Sequence, residues 1–383
     1  MLDQDNYLVL WIFITGLIFC LLTALLFTRI VRSLAHRYKL TDEPDGDRKI
    51  HRKPMPNIGG VAIVGVFFVG LGYFALFRVL FSLSPDGFIQ LPSIYIMLGG
   101  LVMAITGFYD DLLTLGFKKK FLLQISVALL AISGGYQIEV LQNPFTGEMV
   151  NLGFIGVPIT IFVIVGIINA VNLLDGMDGL AAGVTLISFI SLSAAYSLSG
   201  NYEHLVLVVV ISGALLAFLR YNFNPASIFM GDTGSLFIGF LLATYALGGI
   251  NSADSMLALL IPILCMGLPI LDTGLAIIRR FLEKKPLFSA DSDHIHHRIA
   301  RRFGFTHRRT VITLYFASIF LGIMAFIMAM SDDVLKTLIL CITALASYLF
   351  LRILNYVPFR LNRTMGVNIF SSIRMGKTPY KRK

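Results

Sequence analysis

Eleven strongly apolar stretches follow one another through this 383-residue chain, and most are long enough to form a membrane-spanning helix. Because lipid offers the backbone no hydrogen-bond partners, each span must be helical. Only 14% of the residues are charged, and a soluble domain could not bury the 56% that are hydrophobic. The sequence therefore predicts an all-α polytopic membrane protein with about eleven transmembrane helices. The predicted spans are residues 7–28, 59–81, 93–109, 121–136, 155–171, 180–198, 204–219, 236–250, 256–278, 310–330 and 334–351.

The ninth span contains two prolines, Pro262 and Pro269. Proline inside a helix removes a backbone hydrogen bond and clashes with the preceding turn, so we predict that this span is kinked or broken. The first apolar stretch has no basic segment before it and no small-residue cleavage site after it. We therefore expect a retained span and not a signal peptide.

Positive charge alternates along the chain. All but two of the 31 lysines and arginines fall in residues 29–57, 118–120, 220, 279–309 and 352–383, which are every second loop and the tail. Cytoplasmic loops of membrane proteins carry an excess of Lys and Arg. This pattern predicts that the N-terminus lies outside and the C-terminus in the cytoplasm. The net charge of +9 then reflects this bias and contact with membrane lipid, and it requires no nucleic-acid partner.

The domain organisation follows from the same pattern. We predict a single transmembrane catalytic domain over residues 1–351 and a basic cytoplasmic tail over residues 352–383. Residues 137–152 alternate apolar and polar side chains around a turn sequence at 143–147, which predicts a short external hairpin.

Several carboxylates lie at the inner ends of predicted spans, where a charge near lipid is costly and is usually functional. Asp110 and Asp111 end the third span. Neighbouring residues on a helix point about 100° apart, so the pair cannot form one clamp. Two separate roles are more natural, one as metal ligand or general base and the other as partner of a lysine. An ordinary acidic helix end facing Lys118–Lys120 is the alternative.

A second group of polar side chains follows the fifth span. Asn169, Asn172, Asp175 and Asp178 recur every third residue and so share one helical face. Glycines at 176 and 179 let a ligand approach the backbone closely. Asp178 could instead cap the next helix, but capping needs one acid and not two acids with two amides. The pattern favours a binding or catalytic site.

Asp232 lies between small residues just before the eighth span. A carboxylate at a helix start can hold a divalent metal, and the free N–H groups there favour phosphate. We therefore predict that Asp232 is a metal ligand.

Three of the seven histidines, His294, His296 and His297, lie beside Arg298 in the last large inner loop. Zinc binding is one interpretation, but no cysteine is near. Imidazole and guanidinium groups suit an anionic ligand such as a sugar diphosphate. A solvated basic loop is the alternative interpretation.

Taken together, these motifs resemble those of the polyprenyl-phosphate N-acetylhexosamine-1-phosphate transferases, a membrane family of glycosyltransferases. The resemblance covers almost the whole chain, and its motifs are specific only in combination. The matching segments, in order, are residues 54–60, 110–111 with 120–124, 169–179, 222–235 and 294–298.

The resemblance implies a reaction in which undecaprenyl phosphate attacks the β-phosphorus of a UDP-sugar and UMP leaves. It also implies a Mg²⁺ or Mn²⁺ cofactor, which suits phosphoryl transfer. The roles that it implies are metal ligand for Asp232, catalysis for Asp110, Asp111, Asp175 and Asp178, and substrate binding for Lys120, Asn172, Asn222, Phe229, His294, His296, His297 and Arg298. Spacing alone leaves Lys119 as an alternative to Lys120. Asp110 is the candidate base or lipid-phosphate partner, and the Phe229 ring is expected to stack on uridine.

The last loop bears on the choice of sugar. Family members that use UDP-MurNAc-pentapeptide, the MraY branch, carry a His-His-His-Phe-Glu run there. This chain has Ile295 and Arg298 within the corresponding stretch, which is similar to the WecA/TagO branch that uses UDP-GlcNAc. The resemblance therefore implies UDP-GlcNAc as donor and undecaprenyl phosphate as acceptor, at the cytoplasmic face of the inner (plasma) membrane, as the first membrane step of an envelope polysaccharide. It leaves open which polymer is built, whether transfer is direct, and whether the enzyme is a homodimer.

Two other classes of membrane protein fit the sequence less well. A secondary transporter would place ionisable groups near the bilayer midplane and often shows repeats, whereas these acids gather at one face. A non-catalytic scaffold would not need acids on several separate inner loops.

Overall fold

The computed structural model describes residues 4–42, 54–83, 89–142, 148–198, 204–250, 260–285 and 293–356. This part of the chain is a helical bundle, as predicted, and each predicted span overlaps helix over the residues described. Its helices are α1 (Gln4–Arg37), α2 (Gly60–Leu80), α3 (Ile94–Leu113), α4 (Phe117–Ser133), α5 (Gly156–Leu174), α6 (Leu180–Leu198), α7 (Leu205–Asn222), α8 (Gly231–Ile250), α9 (Leu260–Cys265), α10 (Gly267–Leu282), α11 (Ile295–Phe303), α12 (His307–Ala329) and α13 (Asp333–Ile353).

By length and composition, eight of these helices could cross a membrane, namely α1, α2, α3, α5, α6, α7, α12 and α13. The three other predicted spans coincide with α4, with α8 and with the pair α9 and α10. The protein is thus a multi-pass membrane protein, and the total of eleven spans stays a prediction.

The ninth predicted span is broken, as its prolines indicate. Helix α9 ends at Cys265 and α10 begins at Gly267, with Met266 between them outside regular helical geometry (φ −101°, ψ 16°). Pro269 lies in the first turn of α10, where a missing backbone N–H costs little. The break separates a short apolar helix from a longer one that ends in Arg279 and Arg280.

Helix α8 is the centre of the bundle. Every residue from Thr233 to Leu247 is buried, and the helix packs against α2, α3, α5 and α6. Buried polar side chains of α8 make hydrogen bonds inside the protein. For example, the Thr244 hydroxyl donates to the Phe240 carbonyl (3.1 Å). Since α8 is enclosed by other helices, the side chains of its first turn can be held in place by several helices at once.

The ends of these helices meet on one side of the bundle. The start of α8 contacts the end of α3, the start of α4 and the end of α5. The residue before α6 contacts the end of α7, and the start of α12 contacts the loop after α7. We call this side the polar end. The described parts of the loops that the charge pattern predicts to be cytoplasmic therefore lie on the same side.

Two short antiparallel strand pairs complete the fold. Strands β1 (Thr41–Asp42) and β2 (Met55–Pro56) pair before α2. Strands β3 (Val140–Gln142) and β4 (Met149–Asn151) pair with Val140 opposite Asn151, which confirms the predicted hairpin. The turn of that hairpin, residues 143–147, and the tail beyond residue 356 lie outside the described residues.

Candidate active site

The start of α8 is fixed by a glycine turn. Gly231 has φ +71°, in the left-handed region that favours glycine. A Cβ at this position would lie 1.9 Å from the Asn57 carbonyl oxygen and 2.7 Å from the Asp111 carboxylate. The chain therefore enters α8 along a path open only to glycine, which puts Asp232 in the first helical turn, as predicted.

Asp111 anchors this turn from the neighbouring helix. Its Oδ1 accepts the backbone N–H of Asp232 (2.8 Å), and its Oδ2 accepts the backbone N–H (3.0 Å) and the hydroxyl (2.6 Å) of Thr233. A carboxylate at a helix start satisfies donors that otherwise lack partners and complements the helix dipole. The structure thus places Asp111 at a capping position, with its carboxylate directed to the backbone of α8.

Lys120 joins two of the predicted carboxylates. Its Nζ donates to Oδ2 of Asp110 and to Oδ2 of Asp232, and all three side chains are largely buried. Burial alone would lower the pKa of Lys120, but the charges and hydrogen bonds of Asp232 and Asp110 outweigh burial and raise it. The structure brings Lys120 into the site and leaves Lys119 exposed. The two adjacent acids of α3 therefore make separate contacts, one with a lysine and the other with the backbone of α8.

The end of α5 supplies an amide and a further acid. The Asn172 amide donates to Asp232 Oδ1 and to the Ser235 hydroxyl, at 2.9 Å each. Asp175, the residue that follows α5, accepts no hydrogen bond from the described residues. Its burial, and then the nearby charges of Asp232 and two further aspartates, raise the pKa of Asp175 well above its usual range. Within the described part of the chain, Asp175 is thus a carboxyl group that pairs with no cation and faces other carboxylates, as expected of a group that meets metal or ligand.

The loops around Asp178 and Asn222 hold each other in place. Asp178 Oδ2 accepts the Asn224 amide (2.8 Å) and a backbone N–H of the same loop (3.1 Å). Asn222 is 2% exposed; its oxygen accepts the Gly179 N–H (3.0 Å), and its amide donates to the Ile228 carbonyl (3.0 Å). Both side chains therefore make hydrogen bonds within the protein, and these bonds join the loop after α5 to the loop after α7.

Phe229 is half-buried at the edge of the same loop. Its backbone N–H donates to the Pro56 carbonyl (2.7 Å), and its carbonyl accepts the Gly59 N–H (3.0 Å). These bonds fix the Phe229 backbone against the segment that precedes α2. That segment belongs to the motif at residues 54–60, for which no role is predicted.

Three histidine rings stack at the start of α11. His294 and His296 are nearly parallel with centroids 5.6 Å apart, and His297 lies 4.2 Å from His296. Burial lowers the pKa of His296 to about 3, so this ring is neutral. Neither of its nitrogens has a partner among the described residues, and Nε2 lies 3.3 Å from where a Cβ on Gly176 would be. A buried imidazole thus presses against the loop that follows α5.

Arg298 turns away from these rings. Its Nε and Nη2 donate to Asp293, its Nη1 donates to the Asn355 carbonyl (3.1 Å), and its guanidinium lies 3.7 Å above the Tyr356 ring. Asp293 also binds Arg301. The structure therefore places Arg298 in an anchor between α11 and the end of α13.

Some contacts at the polar end have no counterpart in local sequence patterns. Asp272 of α10 is 3% exposed and binds His294. The Tyr315 hydroxyl donates to the Gly179 carbonyl (2.5 Å), and the Arg308 Nε donates to the loop after α7. Asp272 is an acidic residue within the ninth predicted span, but nothing nearby in the sequence indicates its partner.

The polar groups fit a Mg²⁺ ion of the kind that phosphoryl transfer uses. Within the described part of the chain, no three His, Cys, Asp or Glu side chains form a ready-made metal centre. Mg²⁺, however, commonly takes one or two carboxylates and completes its shell with water and substrate phosphate. Asp232 and Asp175, with the Asn172 amide between the helices, offer such a donor set.

A membrane-embedded bundle with acids, a lysine and a helix start gathered at one end defines an enzyme that handles phosphorylated substrates at a membrane surface. Comparison with known proteins agrees. Residues 93–250, from α3 through α8, match the model of glycosyl transferase family 4.

The chain belongs to this family. It is 38% identical over 337 residues to a probable undecaprenyl-phosphate N-acetylglucosaminyl 1-phosphate transferase of Bacillus subtilis, covering 88% of this chain and 87% of that one. It is 36% identical to a decaprenyl-phosphate N-acetylglucosaminephosphotransferase of Mycolicibacterium smegmatis, covering 77% and 76%. A phospho-N-acetylmuramoyl-pentapeptide-transferase of Clostridioides difficile is 41% identical over 174 residues, covering 41% and 51%. The resemblance inferred from the sequence motifs is confirmed.

Proposed function

We propose that this enzyme transfers N-acetylglucosamine 1-phosphate from UDP-GlcNAc to undecaprenyl phosphate. The products are undecaprenyl-diphospho-N-acetylglucosamine and UMP, and the reaction begins the membrane stage of an envelope polysaccharide. The observation that carries this proposal is the junction of Asp110, Lys120, Asn172 and Asp232 at the start of α8. The names of two relatives that match most of the chain support the donor and the acceptor lipid.

The residues of the junction have complementary tasks. Lys120 is the cation that can pass from the carboxylates to a phosphate oxygen, since a substrate brings negative charge of its own. Asp110 is thereby released to face the acceptor phosphate as base or partner. Asp111 keeps the first turn of α8 in place, so that Asp232 meets both substrates at a fixed position.

Asp232, Asp175 and Asn172 would hold Mg²⁺ or Mn²⁺. When bound, the ion neutralises charge that develops on the diphosphate. The nucleotide side of the site lies toward the loops that carry Asp178, Asn222 and Phe229. In this arrangement Asp178 and Asn222 hold the two loops in place through their contacts with the backbone, and the Phe229 ring offers a surface for uracil.

The histidines of α11 would contact the sugar and its phosphate. The ring nitrogens of His296, beside Gly176, have no partner among the residues that the structure describes, and His294 and His297 lie next to this ring. Arg298 would support them indirectly through its anchor to Asp293 and Tyr356.

The direct test is turnover of radiolabelled UDP-sugars by the purified protein with undecaprenyl phosphate. We expect product from UDP-GlcNAc with Mg²⁺ or Mn²⁺ and none after chelation. Asp232→Asn should abolish turnover in a folded protein, whereas Asp332→Asn, a matched change at the start of α13, should leave turnover intact. Normal turnover by Asp232→Asn at saturating metal would contradict the metal assignment.

The pentapeptide relative makes a second donor worth testing. UDP-MurNAc-pentapeptide therefore belongs in the same panel, and we expect no turnover of it because the last loop lacks that branch's histidine run. Efficient use of the pentapeptide would reassign the donor while leaving the reaction type unchanged.

We also infer that the polar end faces the cytoplasm of a bacterial inner (plasma) membrane. In a chain carrying Cys341→Ser, a cysteine at exposed Lys119 should resist an impermeant thiol reagent in intact cells. A cysteine at Met149, exposed on the hairpin, should react. The opposite pattern would invert the orientation. Cross-linking in native membranes addresses the homodimer in the same preparations.

A further inference from the structure

A buried carboxylate of α10 controls the start of α11. Asp272 Oδ1 accepts the Ile295 backbone N–H (2.7 Å), and Oδ2 lies 3.0 Å from His294 Nδ1. Asp272 and His294 are 3% and 6% exposed. His294 is the N-cap residue of α11, yet its own side chain makes no capping bond. Asp272 therefore supplies, from another helix, the cap that α11 lacks.

The same contact restricts the His294 ring. An ionised carboxylate can only accept hydrogen bonds, so Nδ1 must carry a proton. The second ring nitrogen, Nε2, then keeps its lone pair whenever the ring is neutral. The ring is also oriented, because its plane stacks on His296, which presses against the loop after α5.

We propose that Asp272 is a positioning residue that starts α11 and fixes the tautomer and orientation of His294 for the donor substrate. This inference rests on the proposed function in taking the donor to be a UDP-sugar. The sequence motifs predict no role for Asp272. Among the described contacts, Asp272 touches neither α8 nor the junction of Asp110, Lys120, Asn172 and Asp232. Its hydrogen bonds reach His294 and the first backbone N–H of α11, so its effect on turnover would pass through the histidine segment.

Two substitutions separate capping from tautomer control. In Asp272→Asn, the side-chain oxygen can still accept the Ile295 N–H, so the cap survives. The amide nitrogen, however, can only donate to His294, which forces the proton from Nδ1 to Nε2. Asp272→Ala removes both functions. A purely structural role predicts that the asparagine variant behaves like the wild type and that only the alanine variant fails.

We expect instead that Asp272→Asn unfolds at the wild-type temperature and loses about 10- to 100-fold in kcat/KM for UDP-GlcNAc, by analogy with the loss of partners that orient metal-binding imidazoles. Binding of UMP should not change. Nitrogen-15 spectra of histidine-labelled protein should show the His294 proton on Nδ1 in the wild type and on Nε2 in the variant. Asp332→Asn, which alters a helix cap at the other end of the bundle, should change none of these.

Wild-type turnover by Asp272→Asn, or an unchanged His294 tautomer, would overturn the proposal. If the wild type turns over no UDP-GlcNAc but the tautomer moves as expected, the donor assignment has failed and the Asp272–His294 coupling stands. The spectroscopic arm therefore distinguishes failure of this inference from failure of the proposed function.

Discussion

Replacing Asp111 with alanine tests whether α8 is held in place by a side chain of α3. The substitution removes three hydrogen bonds, from the N–H of Asp232 and from the N–H and hydroxyl of Thr233. A hydrogen bond to a charged group contributes about 1.5–3 kcal/mol. The hydroxyl can turn to another acceptor and the helix start can relax, so we expect a loss of about 3 kcal/mol in the free energy of unfolding.

The assay is thermal unfolding in detergent of chains carrying Cys341→Ser, which removes the exposed thiol, followed with a thiol-reactive dye that reports the buried Cys20 and Cys265. The matched control is Asp332→Ala, which removes a single cap bond, to the Leu335 N–H (2.8 Å), and should cost about 1 kcal/mol. Asp111→Ala should unfold at a clearly lower temperature than this control. If the two variants are equally stable and Asp111→Ala alone is inactive, Asp111 acts on substrate and the anchoring argument is refuted.

Other substitutions probe the site and its packing. Asp175→Asn should lose turnover without losing stability, because among the described residues the side chain gives up no hydrogen bond and asparagine relieves the crowding of carboxyl groups; a large fall in unfolding temperature would contradict this. Gly60→Val should prevent folding, since a Cβ at Gly60 would lie 2.0 Å from the backbone nitrogen of Gly234, whereas Gly72→Val in the same helix meets nothing and should fold, as size-exclusion profiles will show. Because burial lowers the pKa of His296 from 6.5 to about 3, the unfolded chain binds more protons between these values, so stability should fall as pH drops below 6.5, by up to about 1.4 kcal/mol per pH unit. His296→Leu should flatten that dependence in unfolding measured from pH 7 to pH 4, and an unchanged slope would contradict the buried-imidazole argument.

Hydrophobic periodicity predicted the helices well but missed where two of them begin. Helix α4 starts at Phe117 and α8 at Gly231, four and five residues before the predicted spans at 121 and 236. Those extra turns carry Lys120 and Asp232. A hydropathy pattern ends where polar residues begin, so it cut off the turns that hold the chemistry.

Pairing across the chain could not be predicted at all. The contact of Asp111 with α8 joins residues 121 positions apart, and the contact of Asp272 with His294 joins residues 22 positions apart. Local spacing indicated which residues are chemically able to act. It could not show that Arg298 is bound by Asp293, Asn355 and Tyr356, because that anchor depends on where α13 ends.

The close contact of α8 with its neighbours has a consequence for motion. A Cβ at Gly107 would lie 2.2 Å from the Asp232 carbonyl, and one at Gly60 would meet Gly234, so three helices touch through bare backbone. Such a joint has no side chains that can rearrange, so sliding of one helix past another would break it. Helix α11 is attached to α10 differently, through the side chains of Asp272 and Arg279, which bind the Ile295 N–H and Asp293 and can exchange partners. Under the proposed function we therefore expect substrates to enter and products to leave on the α11 side of the polar end, while the α8 side stays a rigid reference for the reacting phosphates.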